Sequence, residues 1–224
     1  VKVLDARGLE TSVTYDSVKK LGAKGVIPHP KLQWPIDVVA KIEEKDTIAG
    51  SVFTTSYTYE NGISRRDGPF ERRFAGFEKV TEKIPHRTIV YYFHQGNETN
   101  STLGETTDEY AKIGKVFRQE VFSATGQKIT QTLTGWTSYR NGNRTMVLPT
   151  QEIVMDFDGD STAASKAFSY AYNQQNGNIE KYTEWGRVVG SENGTFTDLY
   201  GSGAGADKYV TSYTYAFNPQ LGLY

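Results

Sequence analysis

The chain has 224 residues, with Lys+Arg at 25 against Asp+Glu at 26 and no block of five like charges. A nucleic-acid binder draws its affinity from clustered cations, so no nucleic-acid partner is expected. Cysteine is absent, which excludes a disulfide framework, a thiol nucleophile and any zinc site that uses Cys. No apolar run approaches the roughly 18 residues of a membrane-crossing helix, so no membrane span is expected. The hydrophobic share of 37% can fill a core, and 15 Tyr, 11 Phe and 22 Gly suit pleated strands joined by tight turns. The chain opens at Val1 without a methionine, which reads as a piece of a longer or processed chain.

Taken in order, the strongest signals are alternations of period two. Residues 51–59 predict a strand ending at Asn61-Gly62, the dipeptide that best fits a type I′ hairpin. Residues 106–112 are the one helix candidate and are very short. Strands are predicted over 116–122, closed by Thr125-Gly126, and over 128–134. Three more are predicted over 136–139 before Asn141-Gly142, over 168–172 before Asn176-Gly177, and over 180–185 before Gly186. Residues 27–30 and 198–207 read as loops. Thr-Ser-Tyr-Thr-Tyr occurs at 55–59 and again at 211–215, and turn glycines at 126, 142, 177 and 194 fall about 16, 35 and 17 residues apart. An imperfect hairpin repeat follows, one continuous all-β body over 1–224. Spacing alone permits a sandwich, a propeller or a hairpin strip winding into a solenoid.

Catalytic motifs are not found. His29, His86 and His94 show no i, i+4 pair or HExxH pattern, there is no GxSxG elbow, and the glycine-rich 201–205 lacks the lysine of a phosphate loop. The chain is therefore expected not to be an enzyme and to need no cofactor. Candidate acids for a glycosidase pair are Glu43-Glu44, Glu71, Glu78, Asp108-Glu109 and Glu152, all expected on solvated faces. Asp156, Asp158 and Asp160 alternate around a glycine and are the candidate calcium ligands. A standard loop needs a glutamate at its twelfth position, where Ala167 stands, and an aspartate-capped turn explains the same residues. Trp34, Trp136 and Trp185 could serve as a sugar-stacking platform or as core. Arg65, Arg66, Arg72, Arg73 and Arg87 alternate with acids, which predicts cross-strand ion pairs. Asn97, Asn100, Asn143 and Asn193 stand in N-x-S/T sequons, which are informative only in an exported protein.

Residues 70–80, with Arg72-Arg73-Phe74-Ala75-Gly76-Phe77, resemble the R-x-F-x-G-F motif of RHS/YD-repeat proteins and toxin-complex B subunits. Residues 92–97 and 112–118 resemble the next blocks of those proteins in the same order, and 170–188, with Gly177-Asn178-Ile179, resembles a degenerate YD repeat. The resemblance covers nearly the whole chain and implies an antiparallel hairpin strip forming part of a β-solenoid shell around a C-terminal cargo, often a toxin. It further implies structural roles for Arg73, Phe74, Gly76, Phe77, Gly96, Gly114, Tyr170, Tyr172 and Gly177. The expected partners are the remainder of a longer chain or its cargo domain, and other surface proteins or glycans. The expected location is secreted or on a cell surface. The alternative is an extracellular adhesion module that binds glycan or protein through exposed aromatics. A shell predicts strand tyrosines packed between neighbouring hairpins, and an adhesion module predicts them exposed along one groove or edge.

Overall fold

A computed structural model describes residues 1–18, 29–66, 71–201 and 206–216. The short strand β1 (Lys2–Leu4) leads into β2 (Leu9–Ser17), β3 (Asp37–Asp46) and β4 (Val52–Glu60). Two three-residue strands, β5 (Ser64–Arg66) and β6 (Arg72–Phe74), pair with each other only. Next come β7 (Lys79–Ile84), β8 (Arg87–Phe93), β9 (Val116–Ser123), β10 (Lys128–Asn141) and β11 (Arg144–Asp156). The chain then forms β12 (Ala164–Tyr172), β13 (Ile179–Gly190), β14 (Phe196–Asp198) and β15 (Tyr209–Ser212). All strands but β5 and β6 form one antiparallel sheet in which order in space follows order in sequence, with β15 joining β13 beside β14. Among the described residues the only helical pieces are two 3-10 turns, and the sheet does not close on itself.

The architecture is thus all-β and antiparallel, with several local departures from the sequence reading. Asn61-Gly62 does not close a hairpin, because β4 pairs with β7 and the chain leaves the sheet there to make β5 and β6. The Gly62 amide donates to His29 Nδ1 at 2.9 Å instead of closing a turn. Gly186 does not end a strand. The β12–β13 register passes from Lys166↔Arg187 to Phe168↔Glu184, so two residues face one in a bulge inside β13. Gly186 has φ +67°, and an added Cβ would collide with the Asp207 carboxylate, whose Oδ2 accepts the Arg187 amide at 2.8 Å. Residues 106–112 form only a 3-10 turn, Tyr110–Lys112. The turns at Gly126 and Gly142 hold, and the predicted strands 128–134 and 136–139 are one strand, β10, with a register shift between Gly135 and Trp136. The turn between β12 and β13 is longer than Asn176-Gly177, with the Gly177 amide donating to Asn173 O. Residues 27, 28, 67, 70 and 202–205, on which parts of the predicted loops, motif and basic segment fall, lie outside the described residues.

Opposed residues of an antiparallel pair share a face, so the register fixes where side chains go. Tyr59, Val80, Tyr91, Gln119, Thr132 and Val154 oppose one another in succession on one face. Thr81, Val90, Glu120, Gln131, Met155, Ser165 and Val188 do so on the other. The two apolar cores therefore lie on opposite sides of the sheet. The first, on the Tyr59 side, is Val18, Leu32 and Phe77, with Ile36, Val38, Tyr59, Phe74 and Val80 packed against it. The second, on the Met155 side, is Leu133, Ile153, Met155, Ala167 and Val188, with Trp185 and Phe196 at its margin.

A buried polar network joins the second core to its cover. The Arg118 guanidinium donates to Glu120 Oε1 at 2.8 Å, to Gln131 Oε1 at 3.0 Å and to the Glu192 carboxylate. It also donates to Leu103 O at 3.3 Å and Glu192 O at 3.2 Å. Lys128 Nζ adds a 2.9 Å contact to Glu120. Burial opposes ionisation of Glu120, but the hydrogen bonds from Lys128 and Arg118 outweigh it and hold the carboxyl below its ordinary value.

Candidate functional site

The loop of residues 94–115 between β8 and β9 buries the polar side chains of His94, Gln95, Glu105 and Lys112. Its neck continues the ladder: the His94 amide donates to Lys115 O at 2.9 Å and the Gly114 amide returns to His94 O at 2.9 Å. One 3-10 turn, Ser101–Leu103, ends at Gly104, which is packed against Leu133 and the backbone of Gly194. The second turn presents Tyr110, whose ring lies under the Arg65 and Arg73 guanidiniums at 5.6 and 4.9 Å. Arg73 also donates to Tyr110 Oη at 2.7 Å.

Inside the neck, His94 Nδ1 lies 2.9 Å from Glu105 Oε1 and 3.0 Å from Asp108 Oδ1, and the three side chains are 0%, 5% and 0% exposed. The second oxygen of each carboxylate is anchored on backbone. Glu105 Oε2 accepts the Asn100 amide at 2.6 Å, and Asp108 Oδ2 accepts the Asn97 amide at 2.7 Å and the Gln95 amide at 3.3 Å. On its other side the imidazole packs against Phe117 with centroids 5.2 Å apart, and Nε2 is buried without a protein partner. Burial opposes the charged form of His94, yet the carboxylates of Asp108 and Glu105 outweigh it and push the imidazole above its ordinary value. For Asp108 burial also opposes charge, and the His94 hydrogen bond with the backbone amides of Asn97 and Gly96 holds it below the ordinary range. Burial pulls Lys112 down against the attraction of Glu109, Asp108 and Glu105, and its Nζ donates to Thr107 O at 2.5 Å. A cavity of about 470 Å³ adjoins the cluster, with Asn61, Gln95, Asn100, Glu105 and Phe117 in its walls.

Of the motif residues named from sequence, Arg73, Gly76, Gly96 and Gly114 meet at this loop. Gln95, from the second block, sends its side-chain amide to Asn61 O at 2.9 Å and Gly76 O at 3.0 Å, tying the loop to residues 61–77. Phe77 fills the first core against Tyr59 and Phe74, with centroids 4.7 and 5.1 Å away. Gly96 O accepts Arg65, and Gly114 closes the neck. Tyr170 and Tyr172 belong instead to an aromatic ladder: Tyr170 lies 5.4 Å from Tyr182 and 6.4 Å from Tyr172, and Tyr139 lies 6.4 Å from Tyr172.

The other candidates stay apart. Asp156, Asp158 and Asp160 are exposed at the end of β11 and in the turn that follows. Among the described residues the only grouping of three metal-type side chains is His94, Glu105 and Asp108. Trp136 donates to Val116 O and Trp185 to Ser169 Oγ, each partly buried and without a shared platform. In the register of the β5–β6 ladder the arginines stand opposite one another. Arg65 opposes Arg73 and Arg66 opposes Arg72, and the Tyr110 ring lies beneath the first pair. Sequence reasoning named Asp108 only as a surface acid and missed the cluster, because ten residues of irregular loop separate His94 from Glu105. The available signal was the Glu105-x-x-Asp108 pair just after a glycine.

No family description matches the chain, and no curated protein does. Among solved structures it is similar to "Crystal Structure of TcdB2-TccC3 without hypervariable C-terminal region", with TM-score 0.62 and 14% identity over 80% of this chain. It is also similar to "Crystal Structure of TcdB2-TccC3-TEV", with TM-score 0.63 and 14% identity over 80% of this chain. In both cases the chain spans 11% of the length of the structure it matches. The likeness is one of fold, an antiparallel β-architecture shared with part of those structures.

Proposed function

We propose that the chain is a non-catalytic wall segment of a secreted or surface shell of the RHS/toxin-complex kind, in which a continued strip of hairpins encloses or presents a cargo. The observation that carries this reading is the fold likeness over 80% of the chain to about a tenth of a toxin-complex structure. The open meander supports it. β1 at one edge has Val3 60% and Leu4 62% exposed, and β15 at the other has Tyr209 71% exposed, so among the described residues each edge offers unpaired backbone and apolar side chains to a further strand. Strand tyrosines support it too. Tyr57 and Tyr91 share Glu82, Tyr92 reaches Glu120, and the Tyr170 ladder packs between neighbouring strands, so these rings serve the sheet rather than an open groove. A wall needs rigidity more than chemistry, and the Gln95 bonds to Asn61 O and Gly76 O brace it there.

The test is electron cryo-microscopy of the complete natural protein. The expected result is a hollow particle with these strands in its wall and with β1 and β15 each hydrogen-bonded to a further strand. A compact particle with both edges in solvent would overturn the reading and favour an adhesion module using Tyr200, Tyr209, Tyr213 and Tyr215.

A further inference from the structure

We propose that His94, Glu105 and Asp108 form a binding site for one divalent transition-metal ion of the zinc class, which clamps the 94–115 loop onto the end of the sheet. The set of one imidazole and two carboxylates suits borderline metals such as zinc, and its two negative charges balance a dication. Metal bonds of about 2.0–2.2 Å hold neighbouring ligand atoms about 3.0–3.5 Å apart. The separations of 2.9 and 3.0 Å from His94 Nδ1 are within a few tenths of an ångström of that spacing.

Two independent features point to a cation rather than to a simple hydrogen-bonded triad. The first is proton count. Nδ1 carries at most one hydrogen, yet two buried carboxylate oxygens face it at bonding distance, so one acceptor is left under-served. A metal ion at that point serves all three groups at once. The second is orientation. Each carboxylate fixes one oxygen on backbone amides, Glu105 on Asn100 and Asp108 on Asn97 and Gln95, and aims the other at the imidazole. Backbone-anchored, monodentate carboxylates are the outer-shell arrangement that positions ligands around a metal. Glu105 also lines the adjoining cavity, which gives an ion a way in and a water a fourth coordination position. The buried Lys112 ammonium, which feels the charges of Asp108 and Glu105, donates to Thr107 O and makes no hydrogen bond to either carboxylate.

The inference stands whether or not the chain is a wall segment, and its test does not depend on assembly. The intact protein is stripped with a chelator, dialysed against Zn²⁺ and analysed for bound metal, and Co²⁺ is titrated in parallel while the visible spectrum is followed. Expected are one equivalent of zinc per chain, a saturating cobalt band competed away by zinc, and at least about tenfold weaker binding in Glu105→Gln and Asp108→Asn. His86→Gln, at an exposed turn position, leaves the affinity unchanged. The unsubstituted protein showing no cobalt band and less than half an equivalent of zinc overturns the proposal, as does a folded Glu105→Gln with unaltered affinity. Loss of zinc in His86→Gln overturns it as well, because the bound ion would then be at the surface.

Discussion

Replacing Phe77 by Ala tests whether the two cores on opposite faces of the sheet are energetically separate. Phe77 is 8% exposed, with the rings of Tyr59, Phe74 and His29 at 4.7, 5.1 and 5.3 Å. Truncating a fully buried phenylalanine costs about 3–5 kcal/mol, and the residual exposure of this ring places the change near the low end, about 3 kcal/mol. With a urea dependence of about 3 kcal/mol per molar, the midpoint falls by roughly 1 M. Phe77→Leu, closer in volume, costs about 1 kcal/mol. Ile153→Ala removes packing from the other core, which shares no residue with the first. The double variant Phe77→Ala/Ile153→Ala is therefore expected to lose the sum of the two single losses to within about 0.5 kcal/mol. Urea unfolding followed by circular dichroism of all four proteins closes the cycle. A coupling energy above about 1 kcal/mol would refute the assignment of the cores to separate faces.

Acid should act through Glu120, whose folded-state carboxyl is held below its ordinary value of 4.5 by Lys128 and Arg118 against the effect of burial. Below 4.5 the unfolded chain takes up this proton first, so the contribution is complete above that pH and drains away as pH falls through the lowered folded value. Denaturant midpoints measured between pH 6 and pH 3 should fall less steeply for Glu120→Gln than for the unsubstituted protein, and parallel profiles would exclude the network as an acid-sensitive tie. Gly104→Ala puts a Cβ 3.0 Å from Leu133 Cδ2 and 3.2 Å from Glu192 O at φ +84°. Strain of about 1–3 kcal/mol is expected, read as a lower melting temperature, whereas Gly126→Ala, with no neighbour within 4 Å, bears the backbone cost alone.

The all-β class and the strands on either side of Gly126 and Gly142 were legible because period-two alternation and turn glycines act locally. Strand β3 was not: Lys41, Glu43, Glu44 and Lys45 are residue types depleted in strands, and pairing with β2 and β4 makes them one. The Asn61-Gly62 error has the same origin. Its turn chemistry is real, with Asn61 at φ +51°, but long-range bonds to His29 and Gln95 decide where the chain goes. Gly186 looked like a stop because a bulge and a turn use the same backbone freedom. Arg73, Phe74, Gly76 and Phe77 were found through resemblance, and their contacts with Tyr110, Tyr59 and Gln95 give the physical reason for the pattern. The His94 cluster was hidden because its members meet only when an irregular loop folds back.

Under mechanical load, a strip whose strands are ordered as in the sequence would come apart like a zip, one strand at a time from whichever end is pulled. The turn of residues 191–195 prevents that here. Gln151 Nε2 holds Gly194 O at 2.7 Å and Arg118 Nη1 holds Glu192 O at 3.2 Å, rivets to strands 43 and 74 residues earlier in the chain. Tension on the C-terminal edge that detaches β14 and β15 would therefore be passed sideways into β9 and β11, loading several strands together.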